Sequence, residues 1–156
     1  AMVVGVSEDA SGIIGYQTRC DSSQSKLCFA DFTNVPYGGE PEFAMEMGKI
    51  CAKTIGLVRK MVPESLQRFG WERDEIDFLI PHQVGERPFL KYLDIFKPEQ
   101  SIATFPTLGN LTTATFPVCW DKLSESGQLQ ALNKIFCVFT GSGIASTHLG
   151  ISLKVR

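Results

Sequence analysis

Short continuous apolar runs alternate along this chain with amphipathic stretches, and that alternation predicts a layered α/β domain. Residues 2–6 and 12–17 are apolar runs separated by the acidic turn Ser7-Glu8-Asp9, which predicts a hairpin. Residues 20–40 are rich in Ser, Asp, Asn and Gly and include Pro36-Tyr37-Gly38-Gly39, so a loop is expected there. Phe43, Met47, Ile50, Cys51, Val58, Met61, Val62, Leu66 and Phe69 then recur at about 3.6-residue spacing and predict a long amphipathic helix. Pro63 is expected to kink or split that helix, and Gly70 to end it. Residues 76–80 read as a strand that is apolar except for Asp77, and 86–96 as a helix with Pro88 in its first turn. Residues 101–105 predict a second strand, 112–126 a helix that must accommodate Pro117, and 135–139 a continuous apolar strand. Leu149, Ile151, Leu153 and Val155 alternate with Gly150, Ser152 and Lys154, the pattern of a half-exposed last strand.

Strand, helix, strand, helix, strand implies right-handed crossovers and a mostly parallel sheet. The last strand follows Gly141-Ser142-Gly143 after a few residues only, so it must turn back antiparallel. His82 then lies just past the first of these strands, Asn110 in the loop after the second, and the Gly-Ser-Gly turn after the third. Parallel strands bring all three to one sheet edge, where open α/β sheets bind ligands.

Composition narrows the class. The 156 residues suffice for one domain with its own core, at 44% hydrophobic and 21% charged. A net charge of −2 without a Lys/Arg run gives no reason to expect nucleic acid or an anionic membrane surface as partner. No apolar run approaches the ~18 residues of a membrane span, and the start shows no signal-peptide pattern. Ala1 before Met2 reads as a tag remnant. The five cysteines, at 20, 28, 51, 119 and 137, form no C-x-x-C pair. Cys51, Cys119 and Cys137 sit in apolar runs and read as small buried hydrophobes, so reduced thiols in a cytoplasmic protein are expected. Neither histidine has cysteine partners at ligand spacing, so no metal site is expected.

Each polar loop has a bland and a chemical reading. His82 is either a structural histidine or a hydrogen-bond donor and proton carrier near neutral pH. Asn110 is a turn residue or helix cap, or an amide donor that polarises a carbonyl or holds an enolate. Gly141-Ser142-Gly143 is a tight hairpin, or a loop offering backbone N–H groups to a second oxyanion. Convergence on one edge favours chemistry. The set holds two side-chain donors and a backbone donor loop, with neither carboxylate nor metal cluster. It suits a negatively charged oxygen on a thioester or enolate, and it lacks a nucleophile.

Three stretches carry a family resemblance. Ile76-Asp77-Phe78-Leu79-Ile80-Pro81-His82-Gln83 resembles the histidine motif of the ketoacyl synthase III family of the thiolase superfamily. Thr104-Phe105-Pro106-Thr107-Leu108-Gly109-Asn110-Leu111-Thr112-Thr113-Ala114 resembles its asparagine motif, and Gly141-Ser142-Gly143 its C-terminal glycine loop. Order and spacing agree over essentially the whole chain. The Thr-Phe-Pro-x-x-Gly-Asn and Gly-Ser-Gly forms are similar to the acyl-CoA head-to-head condensing enzymes of olefin synthesis.

The resemblance implies an acyltransferase of fatty acid biosynthesis and lipid metabolism, acting on thioesters of coenzyme A or acyl carrier protein with no cofactor. In that family a cysteine takes up an acyl group, and a second thioester forms a carbanion that attacks it. Carried over, His82 and Asn110 would hold the enolate oxygen, Gly141, Ser142 and above all Gly143 would form the oxyanion loop, and Arg87 would meet the carrier phosphate or remain a surface arginine. Only the second half of the family chain is matched, and none of the five cysteines has the context of the nucleophile, which belongs to the first half. The family also often carries an asparagine where this chain has Gly85. The implied fold is one half of a thiolase fold: a mixed, mostly parallel sheet with covering helices and an antiparallel last strand. Residues 1–40 are expected to be a hairpin and loop of the preceding half, and 41–156 the synthase III C-terminal domain. The expected partners are acyl-CoA or acyl-ACP, the N-terminal half, and a second copy of the chain in a homo-oligomer. A chain of this kind is expected to be inactive alone, whether a piece of a longer protein or a separately encoded subunit. The other function class is a non-catalytic binding or partner subunit of the same shape.

Overall fold

The structure is a computed structural model in which residues 5–6 and 11–153 are described. Two strands near the fully apolar segments form the centre of the sheet. These are β4 (Phe78–Pro81) and β6 (Lys134–Gly141), which pair in parallel from Phe78–Ile135 to Pro81–Val138. On β4, Leu79 faces one side while Phe78 and Ile80 face the other; on β6, Phe136 and Val138 oppose Ile135 and Cys137. Both faces are covered, which is why these strands are apolar throughout and do not alternate with polar residues.

One face is covered by α1 (Met47–Phe69) and α2 (Glu86–Phe96), whose Val58, Val62, Leu66, Phe69, Tyr92, Ile95 and Phe96 pack on Leu79, Phe136 and Val138. The other is covered by α4 (Thr115–Glu125), through Cys119 and Leu123 on Phe78, Ile80, Ile135, Cys137 and Ile151. Between them lies the one-turn helix α3 (Phe105–Leu108). The sheet is completed by β5 (Gln100–Ser101) beside β4, and by β7 (Ala145–Ser152) and β1 (Gly12–Cys20) beyond β6, in the order β1-β7-β6-β4-β5. β5 and β6 are parallel to β4, whereas β7 is antiparallel to both β6 and β1. Four strands therefore run one way and β7 alone returns, as the short connection after β6 requires. This is the expected mixed, mostly parallel α/β sheet with its antiparallel last strand.

Several boundaries differ from the sequence reading. Most of the first run of the expected N-terminal hairpin, and its acidic turn, lie outside the described residues; Gly12–Cys20 itself joins the main sheet by pairing along β7. The stretch expected to be a loop contains a strand, β2 (Cys28–Asp31), paired antiparallel with β3 (Glu42–Met45). Phe43 thus belongs to a hairpin and not to the long helix, and its ring meets Phe32 edge-on at 5.6 Å. α1 runs unbroken through Pro63 because that residue and Arg59 lie on the exposed side, where water can serve the carbonyl freed by the missing N–H. Gly70 ends it in the left-handed conformation (φ 66°), as expected. α4 starts at Thr115, after a 3₁₀ turn over Thr112–Ala114, which puts Pro117 in its first turn.

The end of the sheet away from the three polar loops is fastened by charge. Asp77 Oδ2 accepts the backbone N–H groups of Asn133 and Lys134 at 2.7 and 2.8 Å. The buried Lys134 ammonium pairs with Glu75 and lies 5.7 Å from the centre of the Trp71 ring.

A polar chain links β1, α1 and β7. Arg19 pairs with Glu64 at 2.6 Å, Gln17 Nε2 donates to Glu64 at 2.7 Å, and Ser65 Oγ donates to Gln17 Oε1 at 2.9 Å. The Ser65 proton is committed to Gln17, so His148 Nδ1 must be the donor in its 2.8 Å contact with Ser65 Oγ. His148 is 0% exposed, among the rings of Phe96 and Phe136, and its Nε2 has no partner among the described residues. Burial pushes its pKa down from 6.5 to about 4. The unfolded chain binds this proton near pH 6.5 and the folded chain does not, so His148 leaves stability intact above pH 6.5 and lowers it as pH falls toward 4. The loss should reach roughly 3 kcal/mol at about 1.4 kcal/mol per pH unit. Urea midpoints between pH 7.5 and 4.5 should show this fall, and His148→Gln should flatten it; an equal slope in the variant would contradict the assignment.

Candidate active site

The C-terminal ends of the parallel strands open onto a cavity of about 390 Å³. Its lining includes His82, Asn110, Gly141 and Ser142, so the structure brings together residues from all three loops. β4 ends at Pro81, and the His82 backbone N–H still bonds to Val138 O at 2.7 Å, which ties the loop to β6 before it departs. The imidazole is partly buried and makes no hydrogen bond to another described residue. Desolvation holds its pKa below the usual 6.5, so at neutral pH it is an uncharged ring with one N–H donor.

Asn110 reaches the cavity by a different local route. α3 ends at Gly109, whose φ of 68° and ψ of −156° suit glycine and no bulkier residue. Asn110 follows with its side chain turned back on its own loop, Oδ1 accepting the Thr112 backbone N–H at 2.9 Å. Because that donor is a backbone amide, the carboxamide orientation is settled, and both Nδ2 protons remain for a ligand.

Gly141 and Ser142 lie at the β6–β7 turn and are exposed. Gly143, with φ 110°, belongs to the same turn but is not among the lining residues, and Arg87 is exposed in the first turn of α2, also outside the lining. The sequence reading missed the opposite wall. Ile50, Cys51, Thr54 and Ile55 of α1, with Met45 and Met47 at the hairpin junction, line the cavity, as do Tyr92 of α2 and Phe139 and Thr140 of β6. Their helical spacing is that of ordinary core positions, so no periodic signal separates a cavity-facing turn from a core-facing one. Cys51 corrects an expectation: it is partly exposed on the cavity wall, not a buried hydrophobe. Cys119 and Cys137 are buried as expected, and burial raises both thiols, Cys119 to about 11. Burial also lifts the Tyr92 hydroxyl to about 12, beside the Thr140 side chain.

Among the described residues no cluster of histidine, cysteine and carboxylate side chains could hold a metal ion, and no helix is long and apolar enough to cross a membrane. Neutral N–H donors, hydroxyls and apolar walls are the groups that suit an uncharged or anionic oxygen at the end of an apolar chain.

Comparison with known proteins gives the family and the fold. Residues 66–151 match the family described as 3-Oxoacyl-[acyl-carrier-protein (ACP)] synthase III C terminal. The chain is 25% identical over 142 residues to a beta-ketoacyl-[acyl-carrier-protein] synthase III of Agrobacterium fabrum, an alignment covering 89% of this chain and 43% of that protein. It is 30% identical over 151 residues to an acyl-CoA:acyl-CoA alkyltransferase of Xanthomonas campestris, covering 92% and 42%. In structure it resembles the 3-oxoacyl-[acyl-carrier-protein] synthase III of Aquifex aeolicus (TM-score 0.80, 19% identity, 94% of this chain and 46% of that one). It also resembles Xanthomonas campestris OleA (TM-score 0.76, 22% identity, 90% and 39%). The chain spans about half the length of the relatives it matches. With the thiolase-like sheet and a match over more than half its residues, the chain belongs to the 3-oxoacyl-[acyl-carrier-protein] synthase III family, as a C-terminal domain.

Proposed function

We propose that this chain supplies the enolate-stabilising half of an active site that joins two acyl thioesters by Claisen condensation. The observation that carries the reading is the meeting of His82 and Asn110 on one cavity, with Asn110 Oδ1 engaged by Thr112 so that its N–H groups remain as donors. The thioester oxygen of the second substrate would sit between the neutral His82 N–H and Asn110 Nδ2. As the α-carbon loses carbon dioxide, negative charge collects on that oxygen, where the two preorganised donors act; a substrate without a carboxylate would need a base from the first half to take the α-proton. The resulting carbanion attacks an acyl group carried on a cysteine; the new carbon–carbon bond forms as the thioester bond to cysteine breaks and the thiolate leaves.

That cysteine is assigned to a preceding half. Cys119 and Cys137 are buried with raised pKa values, and Cys51 lies within the second turn of α1, away from the helix N-terminus that would favour a thiolate. The β2–β3 hairpin beside the cavity supports a covering half, since Tyr37 and Phe43 are 89% and 70% exposed. Alone, the chain should be inactive and self-associate through such surfaces.

Reconstitution tests the reading. The chain is mixed with a matching first half and acyl-CoA, and the acylated residue is mapped by mass spectrometry. The expected result is acylation of a cysteine in the first half and a condensed product. Acylation of Cys51 in this chain, or a first half that condenses equally well without it, would overturn the assignment.

A further inference from the structure

Gln83 is 0% exposed, yet it carries a primary amide, a group that is costly to bury unless every polar atom is used. Every one is used. Oε1 accepts the Thr104 backbone N–H at 2.7 Å, the Thr104 hydroxyl at 3.2 Å and the Phe105 backbone N–H at 3.3 Å. Nε2 donates to Ile102 O at 2.8 Å and to Cys119 Sγ at 3.6 Å. The backbone partners settle which end is oxygen and which is nitrogen.

These bonds explain an irregularity in the fold. The strand expected over residues 101–105 stops at Ser101, and the segment beyond it turns its backbone groups to one side chain. That side chain belongs to the residue after His82. The segment it grips leads into Asn110: Thr104 O accepts the Thr107 and Leu108 N–H groups of α3, and Phe105 O accepts the Gly109 N–H. One buried amide therefore joins the root of the histidine loop to the root of the asparagine loop.

We propose that Gln83 is a positioning residue that sets the distance between the His82 and Asn110 donors. It touches no reacting atom, and its effect passes through the two loops it holds. The inference rests on the condensing role proposed for that pair, but the clamp itself can be tested without it. An oxyanion shared by two donors needs both within hydrogen-bond reach at once, and a displacement of about 1 Å costs roughly 100-fold in rate.

The test uses Gln83→Leu and Gln83→Glu, with Ile151→Val as a core variant remote from the loops. In the chain itself, Gln83→Leu should speed amide hydrogen exchange at Thr104 and Phe105 by ~10-fold or more, the worth of one lost hydrogen bond. It should also shift the His82 ring and Asn110 side-chain NMR signals together, whereas Ile151→Val should move neither. Should the leucine variant not fold, the glutamate variant gives the same comparison. With the first half present, cysteine acylation should change less than about twofold while condensation falls roughly 100-fold. Gln83→Glu should regain part of the condensation as pH is lowered, because a protonated carboxyl keeps the acceptor for Thr104 and one donor for Ile102 O, losing only the long contact to Cys119. Unmoved His82 and Asn110 signals would overturn the proposal, as would acylation and condensation declining in parallel. If the unmodified halves acylate but never condense, the condensing reading fails, and the NMR comparison alone decides the clamp.

Discussion

Replacing His82 by alanine should remove carbon–carbon bond formation and leave acyl transfer to cysteine in place. The imidazole lies at the end of β4 on the cavity shared with Asn110, and burial keeps it neutral. In the proposed reaction it contributes a single N–H donor to an oxygen that carries charge only during condensation. Loss of one such preorganised donor costs about 10²- to 10³-fold in turnover. Acyl uptake by a cysteine of the first half develops charge on a different oxygen and should be nearly unaffected. The measurement is a pair of assays on the reconstituted halves: mass-spectrometric acylation of the cysteine, and product formation from a second thioester. If acylation falls with condensation, His82 serves the nucleophile as well, and the division of labour between the halves is wrong. If neither changes, His82 is a structural histidine.

Phe136→Ala should produce the largest loss of stability. Phe136 is fully buried at the middle of β6, its ring 4.7 Å from that of Phe96, 5.5 Å from Phe69 and 5.2 Å from the imidazole of His148. It joins α1, α2 and the sheet at one point, so no single element can move to fill the space it leaves. A cavity of this kind costs about 3–5 kcal/mol, a large part of the stability of a domain of this size. Phe43→Ala, on the exposed hairpin, should change the isolated chain by less than about 0.5 kcal/mol. Urea denaturation of the two variants makes the comparison. A loss under about 1 kcal/mol for Phe136→Ala would mean that the core relaxes around the gap and is less tightly packed than the ring distances imply.

The parts of the molecule legible in the sequence are those in which local pattern and global packing agree. The apolar runs around β4 and β6 could only be buried on both faces, and α2 covers residues 86–96 as expected, with Pro88 in its first turn. Placing His82, Asn110 and the Gly141–Gly143 turn at one sheet edge followed from chain direction alone, and the cavity there contains residues from all three loops. What escaped was set by long-range partners. The four-residue strands β2 and β3 are too short to show alternation, and they pair across a segment rich in turn residues. The strand at 101–105 was cut short because Gln83, 21 residues before Thr104, takes the backbone groups that a neighbouring strand would have used. Cys51 and Thr54 fall at spacings that fit core and cavity wall equally, and only the position of the hairpin decides between them.

The charged fastening at the far end of the sheet bears on how such a domain can change. Asp77 holds the start of β6 beside β4, and Lys134 is secured by Glu75 and Trp71. Those groups sit at the strand beginnings, and the donor loops at the strand ends. The cavity-lining residues Val84, Pro88 and 139–142 can therefore be varied while the register of the central strands stays anchored from behind. A library confined to the cavity rim would change the lining and keep the fold, and one that strayed to Asp77 or Lys134 would lose folded members first.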